Sequence, residues 1–164
     1  MSITTDHDID TGRLRRVFAA HPSGVTALAA LVDGRPRGLL ASTFTAVSLE
    51  PALVSICVAH SSTTWPALRE APRLGLSVLA AGQEYAGRAL SGPASDRFDA
   101  VNWRGSPDGA VFVDGASAWF DTTPADTFRA GDHDIVVLTV RDLDVDESAQ
   151  PLVYHGSAFR ELAS

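Results

Sequence analysis

"VTALAALVDGRPRGLLASTFTAVSLEPALVSICVA", residues 25–59, is the stretch on which the fold turns. It opens on "VTALAALV", an apolar run of strand length, and "DGRPRG" (33–38) is a strong turn signal, so two strands are predicted side by side. The second, "LLASTFTAVS" (39–48), ends at Leu49-Glu50-Pro51, and "ALVSICVA" (52–59) reads as a third. Within it "ASTFTAVS" (41–48) has four hydroxyls, which a core strand does not need, beside Phe44 and Val47, which a wet strand does not usually carry. The alternation does not run cleanly, so a bulge or bend is expected near Thr45, with Phe44 and Val47 facing the core. A segment of this kind is built to touch something polar.

Outward from this stretch the pattern stays β-rich. "DTGRLRRVFAA" (10–20) reads as a short amphipathic helix with Leu14, Val17 and Phe18 on one side. "SSTTWPALRE" (61–70) reads as a helix start with hydroxyl caps and Pro66 in its first turn. "RLGLSVLA" (73–80) alternates as a half-buried strand, "GQEYAGRAL" (82–90) as a helix, and "DRFDAVNW" (96–103) as a helical turn. "ASAWFDTTPADTF", "HDIVVLTVRDLDV" and a last strand over 151–162 complete six or seven strands against three short helices. Hairpin-like connections in that number favour an antiparallel barrel over a parallel α/β sheet. A flexible N-terminus over 1–9 and a single domain over 10–164 are expected.

Composition narrows the chemistry. The net charge is −7 and all thirteen basic residues are arginine. An acidic chain without a basic run is a poor binder of nucleic acid or anionic membrane. The absence of lysine removes Schiff-base chemistry and any phosphate-loop lysine. A phosphorylated ligand would have to be held by Arg, hydroxyls and backbone N–H groups. The single cysteine, Cys57, precludes an intrachain disulfide, no apolar run reaches membrane-span length, and the N-terminus has no signal-peptide core. A cytoplasmic location is therefore expected.

No GxGxxG after a strand, Walker loop or GxSxG occurs, and the five histidines show no HxH or HExxH spacing, so no metal site is expected. The positive features are three. They are the hydroxyl-rich strand, "HSSTTWPALRE" (60–70) with hydroxyls at a predicted helix start, and the pair "GDH" (131–133) and "YHGSAFREL" (154–162). Hydroxyls there suit an anion, although ordinary capping by Ser61 or Ser62 explains them equally well.

Taken in order, "SGVTALAA", "ASTFTAVSLEPALVSICV", "SSTTWPALRE", "LGLSVLA", "DRFDAVNW", "GDHDIVVLTV" and "YHGSAF" resemble the flavin reductase family, from about Val17 to Leu162. The resemblance implies a mainly β, Greek-key, FMN-binding split β-barrel with a few short peripheral helices. It also implies an NAD(P)H:flavin oxidoreductase that uses FMN (or FAD) and NADH (or NADPH). A homodimer is implied too, which supplies reduced flavin to a separate flavin-dependent monooxygenase. By the same resemblance Ala41, Ser42, Thr43 and Ser48 lie near the isoalloxazine. Ser61, Ser62 and Thr64 grip the phosphate with Arg88, and His133, Tyr154 and His155 surround the nicotinamide. No residue is assigned as an acid or base, and His133 positions the nicotinamide. The chain departs from the family at Leu40, where threonine is common, at Thr43, at Asp121, where cysteine is frequent, and at Phe159. No arginine pair marks a 2′-phosphate pocket, which favours NADH. A flavin-binding split-barrel enzyme with a different substrate, or a non-catalytic barrel, are the alternatives.

Overall fold

The computed structural model describes residues 9–163, so the N-terminus expected to be flexible over 1–9 lies outside them except for Ile9. Helix α1 (Thr11–Phe18) is capped by Asp10, whose carboxylate accepts from the Arg13 amide at 2.7 Å. The two-residue strand β1 (Ser23–Gly24) leads to the hairpin of β2 (Thr26–Val32) and β3 (Arg35–Ala41). Asp33 and Gly34 both take positive φ, as a two-residue type I′ turn requires, and Val32 faces Arg35 across it. Strands β4 (Thr45–Leu49) and β5 (Ala52–Ala59) follow, with a cis Glu50–Pro51 peptide between them. Next come helix α2 (Trp65–Leu68), strand β6 (Leu74–Val78) and helix α3 (Glu84–Leu90). The chain ends in β7 (Trp103–Gly105), β8 (Val111–Val113), β9 (Ala118–Ala130), β10 (His133–Val145), β11 (Leu152–His155) and β12 (Ala158–Glu161).

Two expected single strands are broken. The run 39–48 divides between β3 and β4 at Ser42–Phe44, and a register shift between Ala46 and Ser48 follows it. The irregularity expected near Thr45 is present on both sides of that residue. Phe44 faces the core and packs on Phe120 at 5.5 Å between ring centroids. Val47 does not: it falls in the register shift and is about half exposed. The run 151–162 folds back at Gly156 and Ser157, both at φ 60°, into the β11–β12 hairpin.

One seven-stranded antiparallel sheet has the order β3-β2-β6-β9-β10-β5-β4. Its edge strands, β3 and β4, are consecutive in the chain and joined only by Ser42–Phe44. A flat sheet would hold them six spacings apart, about 29 Å. The link from Ala41 to Thr45 reaches at most about 14 Å. The sheet must therefore roll until its edges meet, which makes it a barrel. The edges meet without a ladder among the described residues, and Thr43 bridges the gap by side chain. Its Oγ1 accepts from the Cys57 amide at 2.8 Å and donates to the Cys57 carbonyl at 3.3 Å. This open seam is what makes the barrel split.

The barrel interior holds Leu28, Leu39, Ile56, Leu76, Val136 and Leu138, and α2 plugs it with Trp65 and Leu68. A second cluster, with Val25, Ala27, Leu79, Leu90 and Leu152, lies on the other face of β2 beneath α3 and β11. Strand β6 is buried on both faces through Leu74–Ser77, not half-buried as its alternation suggests. The cause is β8 lying across it: a Cβ on Gly75 would sit 2.1 Å from the Val111 carbonyl oxygen. Helix α1 buries no residue, and Val17 and Phe18 stand exposed.

Asp121 on β9 is buried opposite Gly75, and its Oδ1 has no hydrogen-bond partner. Arg73 Nε lies 3.5 Å away. Burial pushes the Asp121 carboxyl up, Arg73 pulls it back, and Asp108 and Asp142 push it up again. A carboxyl raised in the folded state favours folding below its unfolded pKa, and that contribution is lost as pH rises through the folded value. Asp121→Asn should therefore raise the melting temperature by a few degrees at pH 7, with the gain shrinking towards acid pH. A gain that grew on acidification in a thermal-denaturation series would contradict this account.

Candidate functional site

The seam encloses a chamber of about 270 Å³ between β3, its link, β5 and the start of β10. Leu39, Leu40, Ala41, Ser42 and Thr43 line one side, Cys57, Val58 and Ala59 the other, and His133 stands at β10. The Thr43 hydroxyl is committed to the Cys57 backbone, so at that position the link offers a ligand its backbone and methyl group. Leu40 adds an apolar wall to both spaces. His133 Nδ1 bonds Asp132 Oδ1 at 2.7 Å, and this bond holds the Asp132 carboxyl below its usual range. An ionised carboxylate only accepts, so Nδ1–H is the donor in this bond.

Ser42, Ser62, Leu39 and Leu40 also line a larger cleft of about 840 Å³, so the two spaces join there. Ser61, Ser62, Thr63 and Thr64 form the loop before α2 and supply four hydroxyls to it. The Ser62 Oγ accepts from the Trp65 amide at 3.1 Å, which orders the loop and leaves its O–H free to donate. Among the described residues, neither Ser61 nor Thr63 gives its amide to a backbone carbonyl. Helix α2 has only four residues. Donor groups rather than a long helix dipole would carry anion binding here.

Arg97 is the cation built into this cleft. Its Nη1 donates to Thr64 Oγ1 at 3.0 Å and to the Gly38 carbonyl at 2.8 Å, and its Nε to the Gly92 carbonyl at 3.0 Å. The Nη2 pair has no partner among the described residues. Burial lowers the Arg97 pKa, yet a guanidinium keeps its charge at neutral pH. Arg88 lines the cleft too, but it is mostly exposed, is held by Glu84 one helical turn away, and lies over the Phe159 ring.

Of the residues singled out in the sequence, Ser42, Ser61, Ser62, Thr64, Arg88 and Tyr154 line the large cleft. Ala41, Thr43 and His133 line the seam chamber, with Ser42 and Ser62 shared. Ser48, opposite Leu53 on β4, and His155, exposed at the end of β11, line neither space. Asp121, at a position of departure from the family, is buried opposite β6 and also lines neither. Sequence reasoning missed Arg97, Ser91 and Ser157. "DRFDAVNW" carries the family resemblance and reads as a helical turn, but no role attaches to its arginine, although an arginine beside an aromatic residue in a chain without lysine is a usable signal. No group of three or more metal-ligating side chains and no membrane-spanning helix occurs among the described residues.

A family model described as "Flavin reductase like domain" matches residues 18–163. A Rhizobium meliloti (strain 1021) relative named as a flavin reductase is 37% identical over 129 residues, 78% of this chain; the chain spans only 42% of that relative's length. The reductase subunit of a flavin-dependent monooxygenase from Mycobacterium tuberculosis is 30% identical over 151 residues, 90% of this chain and 81% of the relative. The solved NADH:FAD oxidoreductase of Streptomyces globisporus C-1027, in complex with NAD and FAD fragments, superposes with a TM-score of 0.87. It is 34% identical, covering 99% of this chain and 98% of that one.

Arg97→Ala removes the donor shared by two carbonyls and the Thr64 hydroxyl. An unsatisfied buried partner such as the Thr64 hydroxyl costs about 1–3 kcal/mol, so the melting temperature should fall by at least about 2 °C. Arg88→Ala, at an exposed pair, should change stability by about 0.5 kcal/mol or less. Equal losses for the two variants in thermal denaturation would refute the difference drawn between them.

Proposed function

The chain belongs to the flavin reductase like family, and on that premise we propose that it is an NAD(P)H:flavin oxidoreductase transferring a hydride from reduced nicotinamide to FMN or FAD. The observation that carries this reading is the junction of the two spaces at Ser42 and Ser62. A chamber walled in part by apolar side chains opens there onto a loop of hydroxyls and the half-buried Arg97. The donor set fits a flavin nucleotide, because it can hold an anionic phosphate with no lysine and cover a planar ring with Leu39, Leu40 and Val58.

When bound, the flavin supplies the redox chemistry, accepting a hydride at N5 from C4 of the nicotinamide. The chain's own part is to hold and to orient. Ser61, Ser62, Thr64 and Arg97 take the phosphate, with Arg88 at the rim. Ala41, Ser42 and Thr43 present backbone groups and the Ser42 hydroxyl to the ring's polar edge, where donors stabilise developing negative charge. His133, fixed by Asp132, orients the nicotinamide as a positioning residue, and the leucines keep water out. No acid or base is needed, which accounts for a site without a catalytic dyad.

NADH is the favoured donor in this reading, since Arg97 and Arg88 are given to the flavin phosphate and its rim and, among the described residues, no further arginine lines either space to clamp a 2′-phosphate. Likeness to the Mycobacterium tuberculosis reductase subunit supports delivery of reduced flavin to a separate monooxygenase. The exposed Phe18 on α1, and Leu49 on β4 at 98% exposure, support a homodimer that covers them. Reduced nicotinamide as donor and a single unpaired Cys57 fit a cytoplasmic enzyme.

Anaerobic mixing of the purified protein with flavin and NADH should bleach the flavin absorbance, more slowly with NADPH. Absence of bleaching with either nucleotide sinks the proposal. The Ser62→Ala, Thr64→Ala double variant should weaken FMN binding about tenfold or more, roughly one charge-assisted hydrogen bond's worth, in a fluorescence titration. His133→Ala should raise the nicotinamide KM or lower kcat about tenfold while FMN affinity persists. An unaltered rate of flavin reduction in stopped flow would remove His133 from its role.

A further inference from the structure

We propose that His60, through its bond to Asp134, is a positioning residue that holds His133 against the seam chamber for hydride transfer. This rests on the reading above that His133 orients the nicotinamide.

The hairpin that carries His133 is thinly supported at that end. Strand β9 pairs with β6 only over Ala118–Thr122, and every residue of β9 from Pro124 to Ala130 is exposed. Gly131, at φ 63°, turns the chain, and the ladder from β10 to β5 ends at His133 opposite Ala59. The far half of the hairpin therefore hangs on a single ladder, and a last rung is where such a ladder frays. The Asp132–His133 bond does not anchor it. Those two residues are neighbours in the chain, and the Asp132 side chain is 95% exposed.

His60 closes this end. Its amide donates to the Asp132 carbonyl at 2.9 Å, one rung beyond the ladder, and its ring Nε2 meets Asp134 Oδ1 at 2.8 Å. An ionised carboxylate only accepts, so Nε2–H is the donor. The two side chains are 33% and 26% exposed, so this bond is better shielded from water than the Asp132 one. Asp134 pairs with Val58 and His133 with Ala59, so these neighbours leave β10 on opposite faces. Neither His60 nor Asp134 lines the seam chamber or the cleft. His60 thus grips the residue beside His133 from behind, without touching a ligand. On its other side it opens the turn into the anion station, the hydroxyl loop 61–64. That turn has bonds of its own, from the Ser62 amide to the Ala59 carbonyl at 3.0 Å and from the Trp65 amide to Ser62 Oγ. Loss of the His60 ring should therefore loosen the nicotinamide side and leave the phosphate grip in place.

The test is FMN reduction by NADH, in steady state and stopped flow, with an FMN titration of each protein. The proteins are the wild type, His60→Ala, His60→Gln, His133→Ala and the His60→Ala, His133→Ala double variant. His60→Ala should raise the NADH KM or slow flavin reduction about three- to tenfold, the size of one hydrogen bond. Its Kd for FMN should stay within about twofold, which also reports that the variant is folded. His60→Gln, whose side-chain amide keeps an N–H at similar reach, should recover most of the loss. In the double variant His60→Ala should add nothing to His133→Ala, because it acts through that ring. Losses that multiply in the double variant overturn the positioning role, as does a Gln variant no better than Ala. So does FMN affinity that falls with NADH turnover, or a wild-type rate in His60→Ala beside an impaired His133→Ala. An unaltered rate in His133→Ala removes the premise and the inference with it. A wild-type protein that does not reduce flavin overturns the proposed function itself, a result distinct from the others.

Discussion

Three residues, Ser42–Phe44, tie together the two edges of a seven-stranded sheet, and every other feature follows from that short tether. It cannot span a flat sheet, so the sheet rolls. It cannot itself be a strand in both directions, so the roll closes on a seam and not on a ladder. Backbone groups at such a seam must find partners other than a neighbouring strand. The Thr43 hydroxyl supplies both partners for Cys57. What remains is a narrow chamber between β3 and β5 with backbone on its walls, which a closed barrel of this size would have filled with side chains.

The anion station shows a different economy. A chain of net charge −7 without lysine places positive charge by half-burying one guanidinium and letting the fold hold it. Arg97 crosses from the loop after α3 to the Gly38 carbonyl on β3 and the Thr64 hydroxyl before α2. A single rigid fork thus fixes three segments and leaves two donors uncommitted. Lysine, a flexible point charge, could not have made those bonds together. Arg88 has the opposite situation: it is exposed, paired to Glu84 and laid on the Phe159 ring.

Much of this was legible in the residues. The hairpin at Asp33-Gly34, β5 and the two helices at 61–70 and 82–90 followed from turn chemistry and periodicity, because those signals are local. The hydroxyl clusters marked both walls of the site. Sequence reading went astray where a remote neighbour decided the outcome. The alternation of β6 implied an open face, but β8 covers it through Gly75. Val47 lost its inward place to a register shift at the sheet edge. Ser48 and Ser42 look alike in "ASTFTAVS", yet only Ser42 lies on the link that faces the cleft.

The sequence alone determined the antiparallel β class, the exclusion of lysine-dependent chemistry, the family likeness and the segments from which a site could be made. These depend on composition, turn residues and short-range order along the chain. Only the tertiary structure decided that Arg97 rather than Arg88 is the cation the fold holds in place, that the Thr43 hydroxyl is already committed, and that Tyr154 and His133 line different spaces. Those facts depend on closure of the sheet. Closure brings residues 42–44, 57–64, 97, 133 and 154 to one seam, and no local signal encodes distances between segments so far apart in the chain.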